Sequence, residues 1–308
     1  MPPSDLSRYA VEALVGKGGM AEVYRAVART GPHAGRTVAL KRLLPELARD
    51  PGYVSLFERE AAVTRRLHHP AIVEVLEVGV ASGTPFIVMD YVDGKNLKQI
   101  LAQCAARSIL LPLDFAAYVA HVLAGALAHA HGGVDAAGAP LGIVHCDVSP
   151  SNVFISRLGE IKLGDFGVAL TQGARPAIGG PGAFGKVHYL APEQLRGERP
   201  TPRTDLFALG AVFHELLTNE KAFPGDDVNA VGQRILAGEA RPPSRRRPGI
   251  PPAIDALVLH CLAVDPARRP SSAAVLAGEV ASAYDPAIGT PLAIAAVVRG
   301  LFGAQRPG

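Results

Sequence analysis

Cysteine is scarce in this sequence, and what there is does not pair. Cys104, Cys146 and Cys261 are odd in number and form no CxxC. That argues against a disulfide framework and suits a reducing cytosol. An excess of charge is also lacking: the formal balance is +3, too small to point to a nucleic-acid partner. Long hydrophobic runs are few. The nearest approach to a membrane span, residues 115–133 (FAAYVAHVLAGALAHAHGG), is interrupted by His121, His129 and His131. It reads as a buried helix, so no membrane span is expected. The opening MPPSDLSRYA has neither the basic nor the apolar region of a secretory signal, and internal repeats are absent. A soluble, cytoplasmic protein is expected.

What is present is a globular composition, 48% hydrophobic and 19% charged, with 33 Gly and 26 Pro spread along 308 residues, enough for two modest lobes or one large domain. Residues 9–30 alternate as strands broken by a glycine turn, and TVALKRL (37–43) is another strand. Residues 51–67 read as a helix opened by Asp50 and Pro51. IVEVLEVGV and PFIVMDYV are two more strands. Mostly helical patterns follow at 95–106, 113–131, 204–218, 226–237, 253–263 and 271–284. Strand-rich first and helix-rich second predicts an α+β chain with a β-rich small lobe and an α-rich large one. Residues 168–188 lack periodicity and read as a mobile loop. The four arginines of RPPSRRRPGIPP (241–252) read as a solvated interhelical loop rather than a docking site.

Several constellations carry chemistry. The glycine turn GKGGMAEV (16–23) can bring backbone N–H groups close to a phosphate. In VALK, strand alternation puts Ala39 and Lys41 on one face, from which Lys41 reaches a phosphate beneath that turn. In the following helix Leu56, Glu60, Val63 and Leu67 share one face. A carboxylate inside an apolar stripe is costly unless paired, and Lys41 is the evident partner. Further on, HCDVSPSN (145–152) spaces Asp147 and Asn152 five residues apart. The strand pair VFIS and EIKLG then leads to Asp165-Phe166-Gly167. Asp147 could accept a hydroxyl proton, while Asn152 and Asp165 could give oxygen ligands to Mg²⁺ on nucleotide phosphates.

In their order and spacing these motifs resemble the eukaryotic-like (Hanks-type) serine/threonine protein kinases of bacteria, over roughly residues 9–284. Ala191-Pro192-Glu193, DLFALG (205–210) and DPARRP (265–270) extend the match. The resemblance implies a bilobal kinase-like fold: an N-lobe at 9–92 with one key helix, a helical C-lobe at 93–284, and a tail at 285–308 with a short helix over 291–302. It implies ATP with Mg²⁺ or Mn²⁺ as cofactors, transfer of the γ-phosphate to Ser or Thr of a protein substrate, and an Arg269–Glu193 pair. The nucleotide would meet Gly16, Gly18, Val23, Ala39, Lys41, Met89 as gatekeeper, and the Asp90 and Val92 backbones, with Asn152 and Asp165 on the metal. Oligomeric state is not legible.

Three positions depart from the family pattern. Cys146 stands for an Arg that pairs with a phosphorylated loop residue in the family, and no Ser or Thr occurs between residues 172 and 193; only Thr171 and Tyr189 are left as acceptors. The two gaps agree with each other and predict that this switch is not used. Cys146 reads as a small residue filling vacated space, with redox sensing as the other reading. Ser149 stands where a Lys supports the γ-phosphate, and Lys186 where a Thr meets the catalytic Asp. An exchange is therefore expected: Lys186 supplies the cation, Ser149 the hydroxyl. An active kinase is expected, with a nucleotide- or partner-binding pseudokinase as the alternative.

Overall fold

The computed structural model describes residues 6–166, 183–285 and 289–303. The chain divides into two units between Tyr91 and Val92, one residue before the boundary expected from the sequence.

The first unit is an antiparallel sheet with one long helix. Strands β1 (Tyr9–Lys17), β2 (Ala21–Ala28), β3 (Thr37–Leu43), β4 (Val75–Ala81) and β5 (Thr84–Asp90) pair in the order β1-β2-β3-β5-β4. The β1–β2 hairpin turns at the glycines, where Gly18 N–H donates to Ala21 O at 2.9 Å. Alternation gives each face its own core. Tyr9, Ala26, Ala28, Val38, Leu40, Phe86 and Val88 bury one face. Ala21, Leu43, Val75 and Ile87 bury the other, together with Phe57 and Ala61 of helix α1 (Pro51–Thr64). Asp50 caps α1 by accepting from Gly52 N–H at 2.8 Å, with Pro51 in the first turn. The helix is shorter than the expected 51–67. Its end tightens into three-residue turns, Arg66 N–H to Val63 O and Leu67 N–H to Thr64 O, before His68-His69-Pro70 forces the chain out. Its buried face also sits one residue round from the expected one. Phe57, Ala61 and Thr64 are buried, and Glu60 lies at the edge.

The second unit is mostly helical. A small sheet, β6 (Gly94–Asn96), β7 (Val153–Ser156) and β8 (Ile161–Leu163), pairs in that order. β6 had no strand signal, because three residues are too few for alternation to show. The helices are α2 (Leu97–Arg107), α3 (Leu113–Gly132), α4 (Ala183–Val187), α5 (Pro192–Leu195), α6 (Pro202–Thr218), α7 (Val228–Ala237), α8 (Pro252–Cys261), α9 (Ala273–Ala281) and α10 (Pro291–Phe302). α4 occupies part of the expected 168–188 loop; residues 167–182 lie outside the described residues. α6 is the centre: every residue from Thr204 to Thr218 is buried, with α3 and α8 against it. Gly210 permits the α6–α8 approach, since a Cβ there would fall 2.5 Å from Cys261 Cβ. Among the described residues only α3 is long and apolar enough to cross a membrane, and more than half of it is buried inside this unit. Two of the four arginines at 241–247 are structural. Arg247 donates to Leu111 O and Leu217 O, and Arg246 pairs with Glu220.

The C-terminal helix α10 packs on α2 through Ile294, Ala295, Val298 and Leu301. Leu292, expected on that face, is 73% exposed. The helix starts at Pro291, against the β7–β8 turn. Gly159 there is at φ +85°, and a Cβ would meet Pro291 O at 1.7 Å. That contact fixes the rotation that leaves Leu292 outside.

Candidate active site

Within the first unit, strand register collects the expected nucleotide residues. Gly16 pairs with Val23 and Val23 with Lys41, while Ala39 pairs with Met89. Residues directly opposite or two apart share a face, so Gly16, Val23, Ala39, Lys41 and Met89 lie together on the α1 side of the sheet. There Lys41 Nζ donates to Glu60 Oε1 at 2.5 Å, with the two side chains 13% and 19% exposed. Asp90 N–H bonds Glu74 O, and the Asp90 carboxylate on the opposite face accepts from Arg36 Nη2. Gly18 sits in the turn itself. Val92 is the first residue of the second unit.

Within the second unit, the loop before β7 has no ladder to satisfy its backbone, so side chains do that work. The buried Asp205 carboxylate, at the start of α6, accepts from His145 N–H and Cys146 N–H, both at 2.8 Å, and from His131 Nε2 at 2.7 Å. His145 Nδ1 accepts from Asp147 N–H, so its Nε2 carries the proton and donates to Gly164 O at 3.0 Å. Complete burial pushes the His145 pKa down against the pull of the carboxylates around it, which suits this neutral tautomer. Its ring packs 4.4 Å from Phe166 between centroids.

This clamp holds Cys146 at φ +64°, a conformation that costs a non-glycine residue about 1–3 kcal/mol. Such strain persists where neighbours over-determine the backbone, and it turns the next residue out of the core. Asp147 is accordingly partly accessible, at 21% of its side chain. Cys146 itself is buried, and burial pushes its thiol well above its ordinary range. A thiol kept protonated is inert, so the space-filling reading of Cys146 prevails over redox sensing.

Asp147 Oδ2 receives two donors. Asn152 Nδ2 lies at 2.9 Å and also reaches Asp147 O at 2.8 Å. Lys186 Nζ, from α4, lies at 2.5 Å. The exchange expected from the sequence is therefore half seen. Lys186 does approach the aspartate, but Ser149 Oγ meets Ser151 Oγ at 2.9 Å instead of Asp147. A neighbour two residues away, in the 3-10 turn Pro150–Asn152, outcompetes a contact that would need the hydroxyl to turn back.

A divalent cation has a consistent donor set here. Val153 pairs with Leu163, and Gly164 N–H donates to Asn152 O at 2.9 Å, so Asn152 and Asp165 flank one end of the β7–β8 ribbon. The Asn152 amide nitrogen is committed to Asp147, which leaves its Oδ1 for a cation. Asp165 is set at φ +53°. Two oxygen ligands suit Mg²⁺, which keeps waters and takes substrate phosphates as further ligands. Gly167 and Thr171 lie outside the described residues.

The segment after α4 is anchored from below. Arg269, itself buried, donates to Glu193 through Nη1 at 2.7 Å and Nη2 at 2.8 Å, and Thr204 Oγ1 adds a third bond to this carboxylate. Burial alone would raise the Glu193 pKa, but the Arg269 hydrogen bonds and charge outweigh it and hold the carboxyl below its ordinary value. The folded state thus keeps this charge to lower pH than the unfolded chain. Its stabilisation is complete above the unfolded pKa and is lost as pH falls through the folded one. Arg269→Leu strands a buried carboxylate and should cost about 3–5 kcal/mol at neutral pH. Denaturant unfolding should show that deficit shrinking in acid. Tyr189, the second candidate acceptor, is buried, with its hydroxyl donating to Glu215 Oε2 at 2.5 Å and accepting from Lys221 Nζ.

Sequence reasoning missed Asp205, His131 and Gln194. Gln194 Nε2 donates to Cys146 O at 3.0 Å while its Oε1 accepts from Ala191 N–H. For Asp205 a signal existed: a carboxylate opening an almost wholly apolar helix needs partners, as at Glu60.

Against known proteins, the profile described as protein kinase domain matches residues 9–280. The chain is 33% identical over 300 residues to the tyrosine-protein kinase MasK of Myxococcus xanthus, covering 97% of this chain and 46% of that one. It is 36% identical over 290 residues to the serine/threonine-protein kinase PknB of Mycolicibacterium smegmatis, covering 92% and 44%. The chain thus spans less than half the length of these relatives. Among solved structures, the Mycobacterium tuberculosis PknI kinase domain superposes with a TM-score of 0.66 at 28% identity, over 92% of this chain and 98% of that one.

Proposed function

We propose a catalytic role from one premise: the chain belongs to the protein kinase domain family. It acts as an ATP-dependent protein serine/threonine kinase, and the observation that carries this reading is the Asp147 cluster. A carboxylate set outward on a strained loop, oriented by an amide and a lysine, is what abstraction of a hydroxyl proton requires. Lys41, held by Glu60, binds ATP phosphate oxygens. Gly16, Gly18, Val23, Ala39 and Met89, with the Asp90 and Val92 backbones, hold the rest of the nucleotide. Asn152 and Asp165 hold magnesium, which when bound neutralises charge on the phosphates. Asp147 orients the acceptor hydroxyl and takes its proton as the oxygen attacks the γ-phosphorus. Lys186 stabilises the charge on Asp147 and on the transferring group. A protein acceptor and a cytoplasmic setting belong to the same reading.

One relative is named a tyrosine kinase, so acceptor chemistry is what needs testing. The purified chain is incubated with labelled ATP, Mg²⁺ and a mixed protein acceptor, and the product is hydrolysed to phosphoamino acids. Label in phosphoserine and phosphothreonine is expected; label confined to phosphotyrosine would reverse the assignment.

Loop phosphorylation should not be needed for activity. The motivating facts are Cys146 at the place of the phosphate-pairing Arg, the lack of Ser or Thr over 172–193, and the sequestered Tyr189 hydroxyl. Protein treated with phosphatase, then separated from it, should keep its initial rate. A collapse that maps to loss of phosphate from Thr171 would refute this.

A further inference from the structure

The family's Arg would tie the loop around Asp147 to the segment before Ala191-Pro192-Glu193 through a phosphate. With Cys146 in its place, some other bond must join the two segments, and one is visible. The Gln194 amide is buried at 3% exposure and spans them: its oxygen takes Ala191 N–H, and its nitrogen gives to Cys146 O. Cys146 O belongs to the residue at positive φ, whose own N–H is fixed by Asp205. With both ends of Cys146 held, the direction of Asp147, the next residue, is set. The other end of the bridge is firm because Gln194 follows Glu193, whose carboxylate is locked to Arg269 by two hydrogen bonds.

We infer that Gln194 is a positioning residue: it aims Asp147 by holding the Cys146 carbonyl and joins the two segments without a phosphate. The inference rests on the kinase reading above. Gln194 touches no reacting atom, so its effect falls on kcat through Asp147 and spares ATP affinity.

The Gln194→Glu substitution tests this by its protonation. As a neutral acid, the introduced side chain presents the same pair of groups as the amide: a carbonyl oxygen toward Ala191 N–H and an O–H donor toward Cys146 O. Once ionised, it sets a negative oxygen against that carbonyl. Burial and the facing carbonyl raise its pKa toward neutrality.

The experiment measures kcat and KM for ATP of the wild-type chain, Gln194→Glu and Gln194→Leu between about pH 6 and 8.5, with folding checked by thermal unfolding. The wild-type rate comes first; absence of transfer by wild type would defeat the kinase reading itself and not this inference. Given an active wild type, the ratio of the Gln194→Glu rate to wild type should climb about tenfold or more as pH falls across that range. The Gln194→Leu ratio should stay low and flat, down about tenfold in kcat, with KM for ATP within about threefold of wild type. A pH-independent Gln194→Glu ratio, or a Gln194→Leu variant with wild-type kcat, overturns the inference. If Gln194→Glu does not fold, Gln194→Leu decides alone. If neither folds, Gln194 is a residue of stability only, and the inference fails.

Discussion

Replacing Asp147 by Asn lowers phosphoryl transfer by about 10³-fold while ATP binding persists. The Asn152 amide and Lys186 ammonium both donate to Asp147 Oδ2, and an asparagine can still accept both through its carbonyl oxygen. Its amide nitrogen then points where the acceptor hydroxyl should give up its proton. The local fold is kept and the base is lost, and removing a general base costs about 10²- to 10⁴-fold. Asp165→Asn should be as damaging to transfer but different in kind. Asp165 is proposed to hold the metal with Asn152, so metal-dependent ATP affinity falls together with turnover. Titrating ATP with and without Mg²⁺, beside single-turnover rates, separates the two effects. Near-normal turnover in either variant would remove that residue from its role.

The second large effect is expected at Lys186. Its ammonium sits 2.5 Å from Asp147 Oδ2 but is 53% exposed, so as a static surface ion pair it contributes little to stability. Its value lies in the transition state, where charge grows on the transferring group and a charge-assisted contact strengthens. Lys186→Thr should slow turnover by roughly 30- to 1,000-fold, about 2–4 kcal/mol of barrier, with little change in unfolding midpoint. Adding Ser149→Lys, which returns a cation from the loop side, should recover a substantial part of that loss. Ser149→Ala alone should stay within about threefold of wild type, because the Ser149 hydroxyl bonds Ser151 and not Asp147. A full double-mutant cycle measures the coupling. Additive effects would mean that the two positions do not share a task, and an indifferent Lys186→Thr would reduce the lysine to a surface residue.

Much of this site was legible because its residues obey local rules. Lys41 and Glu60 could be paired from strand alternation and from the cost of a carboxylate in an apolar stripe, even though the stripe itself centres on Phe57, Ala61 and Thr64 and not on Leu56 and Val63. The spacing of Asp147, Asn152 and Asp165 follows from a tight turn entering a two-stranded ribbon, so their convergence needs little chain between them. The supports of the loop were not legible in the same way. Asp205 and Gln194 reach it across 59 and 48 residues of chain, and no period connects positions so far apart. The Ser149 hydroxyl was misjudged because its choice between Ser151 and Asp147 is a matter of rotamer, which sequence does not encode. The tail helix was placed correctly at 291–302 but turned wrongly, since the contact of Gly159 with Pro291 O sets its rotation and depends on a residue more than a hundred positions away.

The central claim is that this chain performs transfer and is not only a nucleotide-binding shell. The most direct measurement is incorporation of γ-labelled phosphate into a protein acceptor by the purified wild-type chain in the presence of Mg²⁺, run beside Asp147→Asn. The account predicts metal-dependent incorporation by wild type, reduced about 10³-fold in the variant. Saturable ATP binding with incorporation no greater in wild type than in Asp147→Asn would contradict it.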